Sequence, residues 1–450
     1  MASKSKRAKA VQATKSAAQP SRDMKLARYL IAIPLLVFII KMAILANIPG
    51  GGWLGADGEN YLAGVDGLVK SGLYSLEPKL SYWPAGYPIL MWPIALISVS
   101  KFFYIVNIIQ SLFYAFASYY FVNQLRQSGL KYLAVAAALI IGFNPTLSLS
   151  SLAIGYEAPI AAALAMMAGL IMKIHGTPVD RRFWARVASV GGWFALTSFM
   201  QPRFLLIGAV VFLIWALTFA PRRLAIKVLA LALAVMVIAP AILIFRNSGA
   251  IHKATISTNL GVTMRIGAGD TTGGGYRRSG PEVPCPPKAP ATSVSDNQVV
   301  LCVVKWYLTH PIRTVELAYN KSQYFWSPWT GPEANGTMNR NPWRKIAPTV
   351  DMQKNPAGAN LVAGPVGKLI SYLWIIGQML FLFLGYASLR KIGAKERLAA
   401  NILLVPVVLS WLIGIGTIGD HRFRIPTMTL SLVLQVAGMY AIKRRIIKAL

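Results

Sequence analysis

At 450 residues, with 55% hydrophobic and only 14% charged residues and a mean hydropathy of +0.51, the chain is too apolar for a water-soluble protein of its length. Its formal net charge of +31 does not point to nucleic acid, because the 46 Lys and Arg are spread among apolar segments in the manner of loops that set membrane orientation. What remains is an all-α polytopic membrane protein.

Residues 1–28 are rich in Lys, Ala and Ser without apolar periodicity, and are expected to form a disordered basic cytoplasmic tail. No A-x-A cleavage site follows the first apolar run, which is therefore expected to stay as an anchor. Apolar windows matched to bilayer thickness predict about ten spans, at 29–48, 103–122, 132–150, 158–174, 187–200, 204–220, 228–245, 367–388, 399–418 and 425–442. With the N-terminus inside, Arg126, Lys131, Lys173, Arg181, Arg182, Arg186, Arg222, Arg223, Lys227, Arg390, Lys391, Lys395 and Arg397 all fall in cytoplasmic connections. The tail Lys443, Arg444, Arg445 and Lys448 falls there too.

Three units follow from this parity: a membrane module over 29–245, an extracytoplasmic cap over 246–366, and the last spans with a basic cytoplasmic C-terminus over 367–450. Within the first outer loop, 49–102, the apolar stretch Trp83 to Ser100 holds Pro84, Pro88 and Pro93 and is read as an interfacial or re-entrant helix, with Tyr and Trp at headgroup depth. Helical spacing over Asp296 to Trp326, interrupted at His310-Pro311, predicts two helices in the cap. The only cysteines, Cys285 and Cys302, share this cap. An oxidising compartment favours a disulfide, and two unpaired thiols are the alternative.

Candidate chemistry gathers on the outer side. Gly55-Ala56-Asp57-Gly58-Glu59-Asn60-Tyr61 places carboxylates just past the first span, with Tyr82 and Tyr87 following in Tyr82-Trp83-Pro84-Ala85-Gly86-Tyr87-Pro88. A carboxylate held where water is partly excluded can take a proton from a hydroxyl, whereas the bland reading is a solvated turn. Glu157 opens the fourth span, where it would cap a helix N-terminus or serve a site. Arg203, Arg246, His421, Arg422 and Arg424 break the expectation of basic-poor outer connections; anion binding is the simplest reason, and pairing with Asp57, Glu157 or Asp420, or contact with lipid headgroups, is the alternative. The glycines of Gly267-Ala268-Gly269-Asp270-Thr271-Thr272-Gly273 do not match a dinucleotide fingerprint and suggest a turning loop. Asn335-Gly336-Thr337 matches a glycosylation sequon. The four histidines show no metal-ligand spacing, so no metal or other cofactor is expected, and dependence on a divalent metal stays open.

Asp57, Gly72-Leu73-Tyr74, the Tyr82 to Pro88 segment, Glu157, Arg246-Asn247 and Arg422-Phe423-Arg424-Ile425-Pro426, in that order and on one side, resemble the glycosyltransferase C superfamily. The likeness is to its bacterial protein O-mannosyltransferase-like branch, which includes the aminoarabinose transferases, and it runs over about residues 26–443. The resemblance implies an inner-membrane enzyme that passes a sugar from a polyprenyl-phosphate donor to a glycan, lipid or protein acceptor outside the cytoplasm by inverting displacement. It implies Asp57 as catalytic base, with Glu157 orienting the acceptor or a basic partner. It further implies Arg422 and Arg424 first, then Arg203, Arg246 and His421, as ligands of the donor phosphate, leaving Glu59, Tyr82 and Tyr87 for acceptor or interfacial contacts. Unlike relatives with paired acids in the first outer loop, this chain follows Asp57 with Glu59 and Asp66. The competing class is a transporter or flippase of a lipid-linked sugar, which needs ionisable groups near mid-bilayer and internal repeats; only Lys41 falls clearly inside a predicted span.

Overall fold

Apolar runs that must satisfy their own backbone in lipid become helices, and in the computed structural model every one of the ten predicted segments is helical. The structure describes residues 26–54, 57–275, 283–285, 296–327, 352–354, 360–362 and 364–449; the sequon at 335–337 and most of the basic tail lie outside them. The helices of the bundle are α1 (Leu26–Asn47), α4 (Phe102–Gln127), α5 (Lys131–Phe143), α6 (Glu157–Ile174), α7 (Arg181–Met200), α8 (Phe204–Ala216), α9 (Arg222–Ile251), α13 (Gly364–Arg390), α14 (Ala394–Gly416) and α15 (Ile425–Ala449). Two helices, α2 (Gly58–Ser71) and α3 (Gly86–Ile97), follow α1, and three more, α10 (Leu260–Ile266), α11 (Asp296–Thr309) and α12 (Pro311–Trp326), follow α9.

Seven of these helices are long and apolar enough to cross a membrane, eight if a broken pair counts as one span. The remaining predicted spans depart for identifiable reasons. Proline disfavours helical geometry in the residue before it, so α5 stops at Asn144 (ψ 114°), and the chain bends by 58° into a second helical segment, Pro145–Leu152. The Asn144 side chain caps that segment by accepting from the Leu147 amide at 2.9 Å. With 13 residues, α8 rises only about 20 Å, less than the ~30 Å hydrocarbon core. Its partner α7 carries Arg186 and intersperses Trp, Gly, Ser and Thr among its apolar residues, which dilutes its hydropathy.

Burial ranks the helices. The Ala-rich α6 has 89% of its apolar window inside the protein, against 28% for α1 and α9 and 22% for α13, so α6 is the central post and the other three present broad apolar faces outward. Small residues also let α13 and α15 touch backbone to backbone: a Cβ on Gly385 would collide with the Leu434 carbonyl oxygen, and one on Gly438 with that of Phe381. Beside α6, helix α4 turns one polar face inward, with Asn107, Gln110, Ser111, Tyr114 and Ser118 at i, i+3, i+4, i+7 and i+11, all buried. Buried Lys41 donates to Ser151 Oγ at 3.0 Å and lies 4.5 Å from the Tyr114 ring centroid.

The region expected to form the cap holds its own apolar cluster, in which Met264, Ala268, Val283, Cys285, Val299, Val303, Trp306 and Leu317 pack together. Cys285 and Cys302 are disulfide-bonded, with Cα atoms 5.7 Å apart. His310-Pro311 separates α11 from α12. The glycine-rich loop is tied down: Arg313 donates to the Thr272 carbonyl at 2.6 Å, and the Gly419 amide donates to Gly274 at 2.8 Å. Lys321 uses its ammonium on Tyr307 Oη and the Ile415 and Thr417 carbonyls, at 2.9, 2.9 and 2.8 Å, where the carboxyl end of α14 favours a cation. The described strands are short: β1 (Trp53–Leu54) pairs in parallel with β2 (Ala153–Ile154), and β3 (Met352–Lys354) pairs antiparallel with β4 (Asn360–Val362).

Gly385→Ala should destabilise the detergent-purified protein by about 1–3 kcal/mol through overpacking. On the same helix a Cβ at Gly377 meets nothing within 4 Å, so Gly377→Ala should leave thermal stability unchanged or raise it. Equal melting shifts for the two variants would refute the backbone contact.

Candidate functional site

The site begins with the two-residue β1–β2 pairing. Its register sets Trp53 opposite Ala153 and Leu54 opposite Ile154, so Asp57 and Glu157 each stand three residues beyond the last pair, where α2 and α6 start. Parallel strands leaving in the same direction at the same offset bring two carboxylates from distant segments together.

Side chains from α4 hold this arrangement. Asn107 donates to the Gly51 carbonyl at 3.0 Å, and Gln110 Nε2 lies 3.3 Å from the Ala153 carbonyl. Tyr87 Oη donates to Gln110 Oε1 at 3.1 Å and accepts from the Gly155 amide at 2.9 Å. Gly52 sits at φ 151°, and a Cβ there would collide with the Asn107 amide.

Arg422 closes the cluster from the short helical turn His421–Arg424 ahead of α15. Its Nη1 is 2.8 Å from Asp57 Oδ2 and its Nε 3.6 Å from Glu157 Oε1. The three side chains keep only 19% (Asp57), 12% (Glu157) and 15% (Arg422) of their surface exposed, so the pairs are much less screened than surface salt bridges. Asp420 starts the turn, its Oδ1 accepting from the Arg422 amide at 2.9 Å and lying 3.7 Å from His421 Nδ1. The ring of Phe423 supports two cations, Arg203 at 4.4 Å and Arg422 at 5.9 Å from its centroid.

Arg203 differs from Arg422 in its bonding: among the described residues its Nε and Nη2 are buried without a hydrogen-bond partner. Burial pulls its pKa below the usual range, while Tyr156, Glu157 and Asp420 push it back up. Arg422 Nε likewise has no hydrogen-bond partner among the described residues. Two tyrosines complete the wall. Tyr61 and Tyr156 are buried edge to face, 6.2 Å between centroids. Burial raises the Tyr61 hydroxyl pKa well above its ordinary value, with Asp57 adding to the effect. The sequence offered a local signal for both, since Tyr156 precedes Glu157 and Tyr61 lies four residues after Asp57 on a helix, but no reason to rank them above other tyrosines.

Of the residues singled out from sequence, the structure joins Asp57, Glu157, Arg203 and Arg422, with His421 buried beside Asp420. Arg246, expected to hold the donor phosphate, is fully buried and donates to the Leu73 and Ser75 carbonyls and to Asn247 Oδ1, fastening the first loop to α9. Arg424 turns towards α13, donating to Gln378 Oε1 at 3.1 Å and lying over Trp326. Tyr87, expected to make acceptor or interfacial contacts, is 3% exposed and serves as the bridge described above. Glu59 is exposed on α2, and Tyr82 packs against Trp83 at 4.3 Å. Among the described residues, no group of three or more His, Cys, Asp or Glu could hold a metal ion.

No protein-family model matches the chain, and no curated protein matches it. Solved structures do. The archaeal oligosaccharyltransferase AglB from Archaeoglobus fulgidus, in complex with an inhibitory peptide and a dolichol-phosphate, matches with a TM-score of 0.50 and 13% identity, over 96% of this chain and 52% of its own. The apo form of the Archaeoglobus fulgidus oligosaccharyltransferase matches with a TM-score of 0.51 and 12% identity, over 94% and 51%. The chain therefore spans about half the length of these proteins. At this identity the likeness is one of fold alone, an all-α polytopic membrane architecture.

Arg246→Ala leaves two buried loop carbonyls without donors, each costing about 1–3 kcal/mol. It should lower thermal stability markedly, while Arg203→Ala, which breaks no hydrogen bond of Nε or Nη2, should not. Melting curves of the two purified variants test this, and the reverse order would overturn the structural reading of Arg246.

Proposed function

We propose that this protein is a membrane glycosyltransferase that moves a sugar from a polyprenyl-phosphate donor to an acceptor hydroxyl on the extracytoplasmic face. The observation that carries this reading is the pairing of a partly exposed carboxylate, Asp57, with buried guanidinium groups that still have unused donors, on Arg203 and Arg422. A base for a hydroxyl and an anion-binding wall side by side are what displacement of a phosphate from an anomeric carbon requires. The fold shared with an oligosaccharyltransferase solved with a dolichol-phosphate supports a lipid-linked donor.

In the proposed reaction the acceptor oxygen attacks the anomeric carbon as Asp57 takes its proton, and the carbon–oxygen bond to the phosphate breaks with inversion. Arg422, bound to Asp57 through Oδ2, orients the base and leaves Oδ1 for the proton. Arg203 holds the phosphate in place of Arg246, which is given over to loop carbonyls, and of Arg424, which is turned towards Gln378. Glu157 keeps Arg422 in place. The protein O-mannosyltransferase-like and aminoarabinose-transferase-like branch is the proposed lineage, and protein, glycan and lipid all remain eligible acceptors.

The basic connections at 123–131, 173–186, 222–227 and 390–397 support a cell-membrane protein with both termini cytoplasmic. The Cys285–Cys302 disulfide supports placing the region that carries it on the oxidising side.

Asp57→Asn should lower sugar transfer by about 10²- to 10⁴-fold with expression and membrane insertion intact. The measurement is turnover by purified protein against a panel of polyprenyl-phosphate sugars. Full activity in that variant would sink the base assignment, and loss in Glu59→Gln instead would move it two residues along. Arg203→Ala should weaken use of the donor without comparable change towards the acceptor; unaltered donor dependence would remove it from the phosphate site.

A further inference from the structure

We infer that Tyr156 is a catalytic group of this site, its hydroxyl donating a hydrogen bond to the phosphate oxygen that gains charge as the sugar departs. The inference rests on the donor reading above and adds a residue and a step to it.

Tyr156 is 2% exposed, and its hydroxyl is buried with no hydrogen-bond partner among the described residues. Buried hydroxyls are ordinarily paired, and an orphaned one at a site asks for a ligand. Its surroundings say which. The hydroxyl interacts electrostatically with Arg422, Glu157, Arg203 and Asp57, so it belongs to the cluster rather than to the apolar core. Three other atoms there lack a hydrogen-bond partner among the described residues, Nε and Nη2 of Arg203 and Nε of Arg422, and all three are donors. A ligand that satisfies three N–H groups and one hydroxyl must present several acceptor oxygens, which a phosphate does and a sugar hydroxyl does not.

The charge balance explains why a neutral donor is useful. The donor phosphodiester carries one negative charge. When the bond from its oxygen to the anomeric carbon breaks, the electron pair stays on that oxygen and the phosphate leaves as a dianion, while the acceptor oxygen bonds to the carbon and its proton passes to Asp57. The second charge thus appears only during the reaction, and a donor aimed at it favours the transition state over the ground state. Burial is the main influence raising the Tyr156 pKa, so the group keeps its proton and remains a donor.

Tyr156→Phe tests the inference cleanly, because it removes a hydroxyl with no hydrogen-bond partner among the described residues and keeps the ring packed against Tyr61. In purified protein the melting temperature should be unchanged or higher, kcat should fall about 10²-fold, and KM for donor and acceptor should hold. Wild-type kcat in the variant would overturn the inference, as would a loss confined to the donor KM. An unfolded variant would overturn it as well, since that would show the hydroxyl to be structurally bonded. Calorimetry with inorganic phosphate and with a short-chain polyprenyl phosphate separates the sources of the ligand. Weaker binding of either anion to Tyr156→Phe than to wild type supports the inference, and binding of the lipid phosphate alone assigns the lipid form. A wild-type protein that neither binds polyprenyl phosphate nor uses any polyprenyl-phosphate sugar would refute the donor reading itself, a result distinct from an active enzyme indifferent to Tyr156→Phe.

Discussion

The arrangement of the site depends on one guanidinium, that of Arg422, shared between Asp57 and Glu157. Removing three charges from water is costly, and their mutual attraction offsets that cost only if the geometry is held. Three segments far apart in sequence therefore have to be positioned together: the loop after α1, the loop before α6 and the turn before α15. Much of the polar structure around the site serves that requirement.

Each segment has its own fastening. The first two are stitched by the β1–β2 pair and by Asn107, Gln110 and Tyr87, which engage backbone on both sides of it. Further along, Arg246 anchors the loop after α2 through the carbonyls of Leu73 and Ser75. The Arg422 turn is held from the opposite side. Lys321 binds the chain leaving α14 at Ile415 and Thr417, and Gly274 pairs with Gly419 just ahead of Asp420. A buried ammonium with three oxygen acceptors is satisfied locally, which is why a lysine can sit inside this contact without a carboxylate partner of its own.

The sequence made the helices legible because bilayer thickness leaves a coarse mark, an apolar run of about 20 residues, that survives without tertiary knowledge. It made Arg203 and Arg422 legible because basic groups in connections expected to be basic-poor stand out against the orientation rule, and Asp57 and Glu157 because ionisable residues at span boundaries are themselves a signal. What those groups do was harder to read. Arg246 and Arg203 look alike in sequence, yet one is bonded to carbonyls and the other carries unused donors, a difference made by residues more than a hundred positions away. Tyr87 suffered the same ambiguity, since a tyrosine in a proline-rich apolar loop reads as interfacial until its hydroxyl is seen bridging Gln110 and Gly155. A two-residue strand pair leaves almost no pattern at all, although it sets the register of both carboxylates.

The charge on the cluster gives these fastenings a common logic. With Asp57 and Glu157 ionised and Arg203 and Arg422 protonated, the four groups sum to zero, although the two arginines are bonded unequally. Arg422 neutralises carboxylates it touches, whereas Arg203 rests on Phe423 with two buried donor atoms unmatched. A neutral cluster with an unmatched cationic side is prepared for one added anion. On the proposed reaction the proton taken by Asp57 offsets the second charge released onto the phosphate, so the cluster with its ligand carries one net negative charge before and after transfer. The chemistry then moves charge between groups already in place, and no solvent need enter to absorb it.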